Sequence, residues 1–268
     1  MQELTNLIKK EIKKQFRSVR QFSMYIGVPQ STIITALQKG VGGTSFETVM
    51  RICEVLNIKP VLYVADGIGY VPNEKYDLLL TDPPYSTDVD DIDEFASSWL
   101  YDALAGIKDT GFGYVFIGAY PNELKAYLNV DIPEHMKLEQ VLVWTYKNTL
   151  GNNPKDRYKL NYQACLFYRG VNAPNLDCPL TSEQWAVQEI NAPDGRQGDR
   201  YHAWQKPLEI GERFVRHSTQ AGMTVFDPFS CTGTFLIAAA KLGRKSYGFE
   251  INPDNAEIAF SRGCVRGE

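Results

Sequence analysis

Apolar residues recur every three or four positions through the front of the chain, then give way to short unbroken runs alternating with helical stripes. Leu4, Leu7, Ile8 and Ile12 share one side of a predicted helix, and Lys9, Lys10, Lys13 and Lys14 occupy the other. A second short helix fits Val19 to Ile26. Gly27, free to take a positive φ, then turns the chain into Val28 and Pro29, where a third helix begins that ends near Gly40. Thr44 and Glu47 form a capping-box pattern ahead of a fourth helix, whose stripe is Val49, Ile52, Cys53 and Leu56. Farther on, Tyr76 to Leu80 reads as a strand buried on both faces and ending at Asp82. Thr224 to Asp227 and Lys245 to Phe249 read as further strands. Helices are predicted from Leu208, Ile210, Phe214 and Val215, from Phe235 to Leu242, and after Asn252 and Pro253. Lys59 to Asp66 is a strand that fits either the end of the front module or the start of the next domain.

The chain has 268 residues, 44% of them hydrophobic, which suffices for one substantial core and a small second module. Its net charge of −4 is uneven: residues 1–66 hold nine Lys and Arg against five Asp and Glu, leaving 19 against 27 for the remainder. A basic module on an acidic body points to a polyanion partner for the front, and fits a solvated charged face equally well. No apolar run reaches the length of a membrane span, and Met1 to Lys14 lacks the apolar block of a secretory signal. A cytoplasmic protein without membrane contact is expected. Cys53, Cys165, Cys178, Cys231 and Cys264 are scattered, with no C-x-x-C pair and no cluster of His135, His202 and His217, so reduced thiols and no metal site are expected.

Two runs carry the chemistry. In T-D-P-P-Y, Thr81 to Tyr85, the two prolines fix φ and lack N–H groups, so the Pro83 carbonyl is held in a stiff loop beside the Asp82 carboxylate. Two adjacent acceptors suit the two hydrogens of an aromatic amine, whose lone pair is otherwise delocalised into its ring, and Tyr85 adds a stacking surface. Alone, the run also fits an ordinary strand and turn. In V-F-D-P-F-S-C-T-G-T, Val225 to Thr234, the small residues Ser230, Thr232, Gly233 and Thr234 let backbone N–H groups approach a nucleotide closely. Glu250 closes the following strand, where an acidic residue reaches ribose hydroxyls.

Over residues 1 to about 60, V-R-Q-F-S-M-Y-I-G-V-P-Q-S-T-I-I-T-A-L-Q resembles the helix-turn-helix of the phage repressor/Cro-like family, with Phe22, Ile26, Val28 and Ile33 in the buried slots. That resemblance implies DNA contact by the third helix: Gln30, Ser31 and Thr35 toward base edges, Ile34 toward a thymine methyl, and Thr32 counted with them. Lysines of the first helix would meet phosphates. A packing or dimerisation module is the alternative.

D-P-P-Y, H-A-W-Q-K-P from His202 to Pro207, D-P-F-S-C-T-G-T and G-F-E-I-N-P, in that order, are similar to the amino-group DNA methyltransferases of the permuted beta class over roughly residues 66–268. The resemblance implies an α/β fold with a Rossmann-like seven-stranded sheet, one strand antiparallel, behind a small all-α helix-turn-helix domain, divided as 1–66 and 67–268. It implies S-adenosylmethionine as cofactor and the N6 amine of a flipped adenine in DNA as target. Asp82, Pro83, Pro84 and Tyr85 would be catalytic. Asp227 and the loop with Ser230, Thr232, Gly233 and Thr234 would hold the methionine part, Glu250 the ribose, and Gln205 and Lys206 the amino acid end. Phe229 would lie near the adenine or the transferred methyl, with His202, Pro207 and Asn252 completing the cofactor site. A homodimer and a companion restriction endonuclease are the further candidate partners.

Departures from the family pattern stand beside these matches. Cys231 replaces the first glycine of the loop, Gln163 stands where many relatives have Glu, and Ala65 precedes Asp66 where a Gly-Asp pair is common. The stretch from Gly170 to Tyr201 is short for target recognition, which shifts weight to the loop Lys147 to Arg157 or to the front module. Trp99, Trp144 and Tyr146 are expected in the core, and Asp88 to Glu94 as an exposed loop and helix start. Cytosine-N4 methylation shares the geometry, and a non-catalytic repressor on a methyltransferase scaffold is the rival reading.

Overall fold

In this computed structural model, which describes residues 2–56, 60–148, 153–198 and 200–267, the front of the chain forms helices α1 (Gln2–Gln15), α2 (Val19–Ile26), α3 (Gln30–Lys39) and α4 (Phe46–Val55). Ser18 caps α2 by accepting from the Gln21 N–H at 3.1 Å, and Gly27 ends it at φ 65°. Ser23 Oγ then donates to the Val28 carbonyl at 2.7 Å, bracing the turn. Ile8, Ile12, Phe22, Ile26, Val28, Ile33, Val49, Ile52 and Leu56 bury into one apolar cluster. The first turn of α4 is capped one residue later than the sequence pattern implied: Thr48 N–H donates to Ser45 Oγ, whereas Thr44 N–H goes to the Val41 carbonyl. The side chains of Leu4, Leu7 and Glu47 lie outside the described set.

The remainder is a nine-stranded sheet, not the expected seven. Its strands are β1 (Pro60–Tyr63), β2 (Tyr76–Thr81), β3 (Ile107–Ile117), β4 (Met136–Thr145), β5 (Tyr162–Gly170), β6 (Val187–Glu189), β7 (Thr224–Asp227), β8 (Lys245–Phe249) and β9 (Val265–Arg266), in spatial order β6-β4-β5-β3-β2-β7-β8-β1-β9. The surplus is the two edge strands β6 and β9, of three and two residues. β5 alone runs against its neighbours β3 and β4. β1 pairs in parallel with β8, so the segment that fitted either module joins the sheet.

Helices α5 (Ile92–Ala105), α6 (Pro121–Leu128), α7 (Leu208–Ser218), α8 (Thr234–Lys241) and α9 (Pro253–Ser261) cover the sheet. Alternation along β2 explains why its apolar run is unbroken. Leu79 packs with Trp99, Leu100 and Phe226 on one face, while Leu78 and Leu80 pack with Phe116, Trp144, Phe214 and Phe235 on the other. Trp99 and Trp144 are core residues, as expected, and Tyr146 is half-buried against Trp144. Among the described residues no helix is long and apolar enough to cross a membrane.

The chain leaves β2 toward β3 on one side and leaves β7 toward β8 on the other. Their shared boundary is therefore a topological switch point, where open α/β sheets form a crevice at the carboxyl ends of the strands.

Candidate active site

Parallel register aligns the chemistry at that crevice. Leu79 lies beside Phe226 and Asp227 beside Gly248, so Asp82, Asp227 and Glu250 leave three successive strand ends together. A cavity of about 630 Å³ opens there. Its walls include Asp82, Pro83, Pro84, Tyr85, His202, Gln205, Lys206, Asp227, Phe229, Ser230, Thr232, Thr234, Glu250 and Asn252. Pro207 and Gly233, also expected in the site, do not line it: Pro207 is the buried cap of α7, and Gly233 caps α8 at φ 74°. A Cβ at Gly233 would meet Cys264 Sγ at 2.6 Å, so this glycine serves close packing as well as backbone freedom.

Asp82 is not a free carboxylate. Tyr85 Oη donates to its Oδ1 at 2.6 Å, and Lys206 Nζ bonds its Oδ2. Lys206 also donates to Tyr85 Oη at 2.7 Å, as does Gln163 Nε2 at 2.8 Å. The Lys206 side chain is 2% exposed, and its ammonium sits 5.4–5.6 Å from the ring centres of Tyr85, Phe116 and Trp144. Burial pushes the Asp82 carboxyl above its ordinary range and the Lys206 ammonium below its own, each restrained by the other's charge. The resemblance put Lys206 at the amino acid end of the cofactor. Its ammonium is bonded to Asp82 and Tyr85 at the cavity wall. Gln163 Oε1 is buried beside this network without a hydrogen-bond partner among the described residues.

Asp227 is 1% exposed, and its Oδ1 accepts from Thr81 Oγ1 at 2.6 Å and from the Phe229 N–H at 3.1 Å. Burial pushes its carboxyl up to about 7. Glu250 Oε1 accepts from the Asn252 N–H at 2.7 Å, and Asn252 in turn caps α9 through the Asp254 N–H at 2.9 Å. Phe229 is wedged edge-on against Trp99. Gln205 Oε1 accepts from the Tyr201 N–H at 2.9 Å, and the Trp204 N–H donates to His202 Nδ1 at 3.3 Å. Asp66 reaches the cavity despite its incomplete motif, because the chain beyond β1 stays bonded to the end of β8 through Ala65 N–H and the Glu250 carbonyl.

Cys231 is the one non-glycine residue with positive φ, at 46°, among the described residues. The departure from glycine is therefore a conformational one: the loop keeps a left-handed turn and a side chain bears it. That side chain lines the cavity, and burial followed by the Glu250 charge pushes its thiol up to about 12.

Two contributors escaped the sequence reading. Trp204 is 62% exposed on the cavity wall, edge-on to Tyr85 with centroids 6.4 Å apart. It lies inside H-A-W-Q-K-P, so its position was visible although its role was not. Glu123, fully buried on α6, accepts from the Ser86 N–H at 3.0 Å and from the Gly118 N–H, tying the loop after β2 to the end of β3. The acidic run begins with Asp88, whose Oδ2 accepts from the Tyr85 N–H, and Asp91 caps α5.

Elsewhere, Gln30, Ser31, Ile34 and Thr35 form an exposed face of α3, with Thr32 half-buried beside them. Within the short 170–201 stretch, Glu183 accepts from Arg216 at 2.8 Å and from His217 Nε2 at 3.0 Å, pinning that segment to α7. Lys147 pairs with Glu189, and residues 149–152 of its loop lie outside the described set.

Comparison with known proteins places these features in a group. The sequence profile of a family described as DNA methylase, of the N6/N4 methyltransferase type, matches residues 76–261. Type II methyltransferase M.HpaI of Haemophilus parainfluenzae is 26% identical over 220 residues, covering 69% of this chain and 67% of that protein. M.BglII of Bacillus subtilis is 25% identical over 233 residues, covering 71% of this chain and 64% of its own length. The folds of the M1.HpyAVI–SAM complex (TM-score 0.58, 20% identity, 75% of this chain and 99% of that one) and of the cytosine-N4-specific PvuII DNA methyltransferase (TM-score 0.64, 19% identity, 77% and 89%) are similar.

Proposed function

Because the chain belongs to the N6/N4 DNA methylase family, we propose that it moves the methyl group of S-adenosylmethionine onto the N6 amine of an adenine flipped out of DNA. The observation that carries this reading is the convergence of Asp82 and the Pro83–Tyr85 turn with Asp227, Glu250 and the Ser230–Thr234 loop on one cavity at the switch point. The cavity's size is that of a small-molecule site. Its donor set also fits the cofactor: Glu250 for ribose hydroxyls, Asp227 for the ammonium of the methionine part, and Phe229, Phe249 and Ile251 as apolar walls. When bound, that cofactor supplies an electrophilic methyl on a sulfonium.

The protein's own residues supply alignment. Asp82 Oδ atoms and the Pro83 carbonyl accept the two amine hydrogens, which localises the nitrogen lone pair for attack. Asp82 is also the acceptor for the proton that the methylated nitrogen must lose. Lys206 keeps this carboxylate charged in a buried setting and fixes its orientation through Tyr85. Extrusion of a base costs a few kcal/mol. Stacking on Tyr85 and Trp204 offsets part of it, at about 1–3 kcal/mol per aromatic contact. Trp204→Ala is accordingly expected to raise KM for DNA about tenfold with kcat changed little, read from steady-state methylation of duplex against single-stranded substrate.

Adenine is favoured over cytosine by the leading Asp of D-P-P-Y, while similarity to the PvuII enzyme keeps cytosine N4 as the second reading. Tritium transfer from labelled S-adenosylmethionine to mixed DNA, followed by nucleoside analysis, tests both. 6-Methyladenine supports the proposal, 4-methylcytosine selects the second reading, and cofactor binding without transfer overturns both in favour of a repressor on a methyltransferase scaffold. The front module is proposed to contact DNA through the exposed face of α3. Gln30→Ala with Thr35→Ala is expected to remove selective footprinting that Asp82→Asn retains.

A further inference from the structure

We infer that Arg262, at the end of α9, is a positioning residue that imposes the shape of the cofactor loop in place of the glycine freedom the loop lacks. The inference rests on the reading of this cavity as an S-adenosylmethionine site, and its geometric basis does not. Cys231 holds φ 46°, a conformation an L side chain adopts reluctantly, so something on either side must hold it there. On the Ser230 side the anchors are bonds to backbone carbonyls: Ser230 N–H donates to the Phe249 carbonyl at 2.8 Å and Ser230 Oγ to the Asp227 carbonyl at 2.9 Å. The Gly233 N–H closes the turn by donating to the Ser230 carbonyl at 2.7 Å, and on the far side the side-chain anchor is Arg262. Its Nη1 donates to the Thr232 carbonyl, to Thr232 Oγ1 at 2.9 Å and to Thr234 Oγ1 at 3.0 Å, and both threonines are buried.

The electrostatics argue that this arrangement exists for the loop. Among the described residues Arg262 has no carboxylate partner, and its guanidinium hydrogen bonds go to oxygens of Thr232 and Thr234. Its guanidinium lies 4.8 Å from the Tyr201 ring centre. It also sits at the start of α8, where the helix dipole disfavours a cation. Stability by charge pairing would not place it there. The contacts of Nη1 with Thr232 and Thr234, which flank Gly233, fix the peptide that follows Cys231, and Tyr201 closes over the guanidinium while its own N–H holds Gln205 at the cavity.

The test crosses Arg262→Ala and Arg262→Lys with Cys231→Gly, measuring S-adenosylmethionine affinity by titration calorimetry and thermal midpoints without ligand. Arg262→Ala is expected to weaken binding about tenfold in the otherwise native chain and less than threefold in the Cys231→Gly background, because glycine adopts the turn unaided. Arg262→Lys, keeping one donor nitrogen, is expected to fall between. The drop in midpoint caused by Arg262→Ala should likewise shrink in the Cys231→Gly background. Equal losses of affinity and midpoint in both backgrounds overturn the inference. Failure of the unaltered protein to bind S-adenosylmethionine overturns the proposed function instead, and the midpoints alone then decide the role of Arg262.

Discussion

Asp82→Asn is expected to reduce methyl transfer about 10³-fold while leaving S-adenosylmethionine affinity within about threefold. The carboxylate is the charged acceptor for the amine hydrogens and the acceptor for the departing proton, and an amide is neither charged nor basic. Stability must be separated from chemistry, because removing one partner of a buried ion pair costs about 3–5 kcal/mol. Lys206 would be left among three aromatic rings with no counter-charge. The double variant Asp82→Asn with Lys206→Met should therefore recover most of the lost stability in urea unfolding and none of the activity. Full turnover by Asp82→Asn would end the assignment. Since burial holds the Asp82 carboxyl above its usual range, kcat should also decline on the acid side at a higher pH than an exposed aspartate would give.

Asp227→Asn is expected to weaken S-adenosylmethionine binding by about 10- to 100-fold and, at neutral pH, to stabilise the ligand-free protein. The folded carboxyl titrates near 7, against about 3.9 in an unfolded chain. Below pH 4 both states are protonated and nothing is lost. Between pH 4 and 7 the folded state keeps a proton that the unfolded state has released, so stability falls as pH rises, by about 4 kcal/mol in total, and is level above 7. Asparagine keeps an oxygen for the Thr81 hydroxyl and the Phe229 N–H, and it removes that pH dependence. Cofactor binding to the unaltered protein should tighten as pH rises through 7, with release of a proton. Calorimetry in buffers of different ionisation enthalpy measures that proton, and a pH-independent affinity would contradict the role given to Asp227.

Much of the site could be read from sequence because its signals are local. D-P-P-Y, the Asp227 loop and Glu250 each follow a short apolar strand, and parallel pairing brings such strand ends together. The front helices were legible for the same reason, since their apolar stripes have one period and Gly27 marks the turn. What escaped depends on partners far apart in the chain. Lys206 meets Asp82 across 124 positions, and no periodicity encodes that bond. The place of Pro60–Tyr63 was decided by β8, and edge strands of two or three residues carry too little pattern to register. Ser45 against Thr44 was a choice between adjacent residues of like chemistry. The meaning of Cys231 required a dihedral angle, which composition does not supply.

On the proposed reading, with the front module and the 170–201 segment both touching DNA, the order of strands also sets a ruler for the duplex. β1, which follows α4, lies six strand steps from β4, whose outer neighbour β6 belongs to the 170–201 segment. At about 4.8 Å per step the two attachment points are roughly 29 Å apart, or some eight base pairs of B-form helix. A duplex gripped at both ends would have to span the strands crosswise, with the flipped nucleotide between two handholds almost a full helical turn apart.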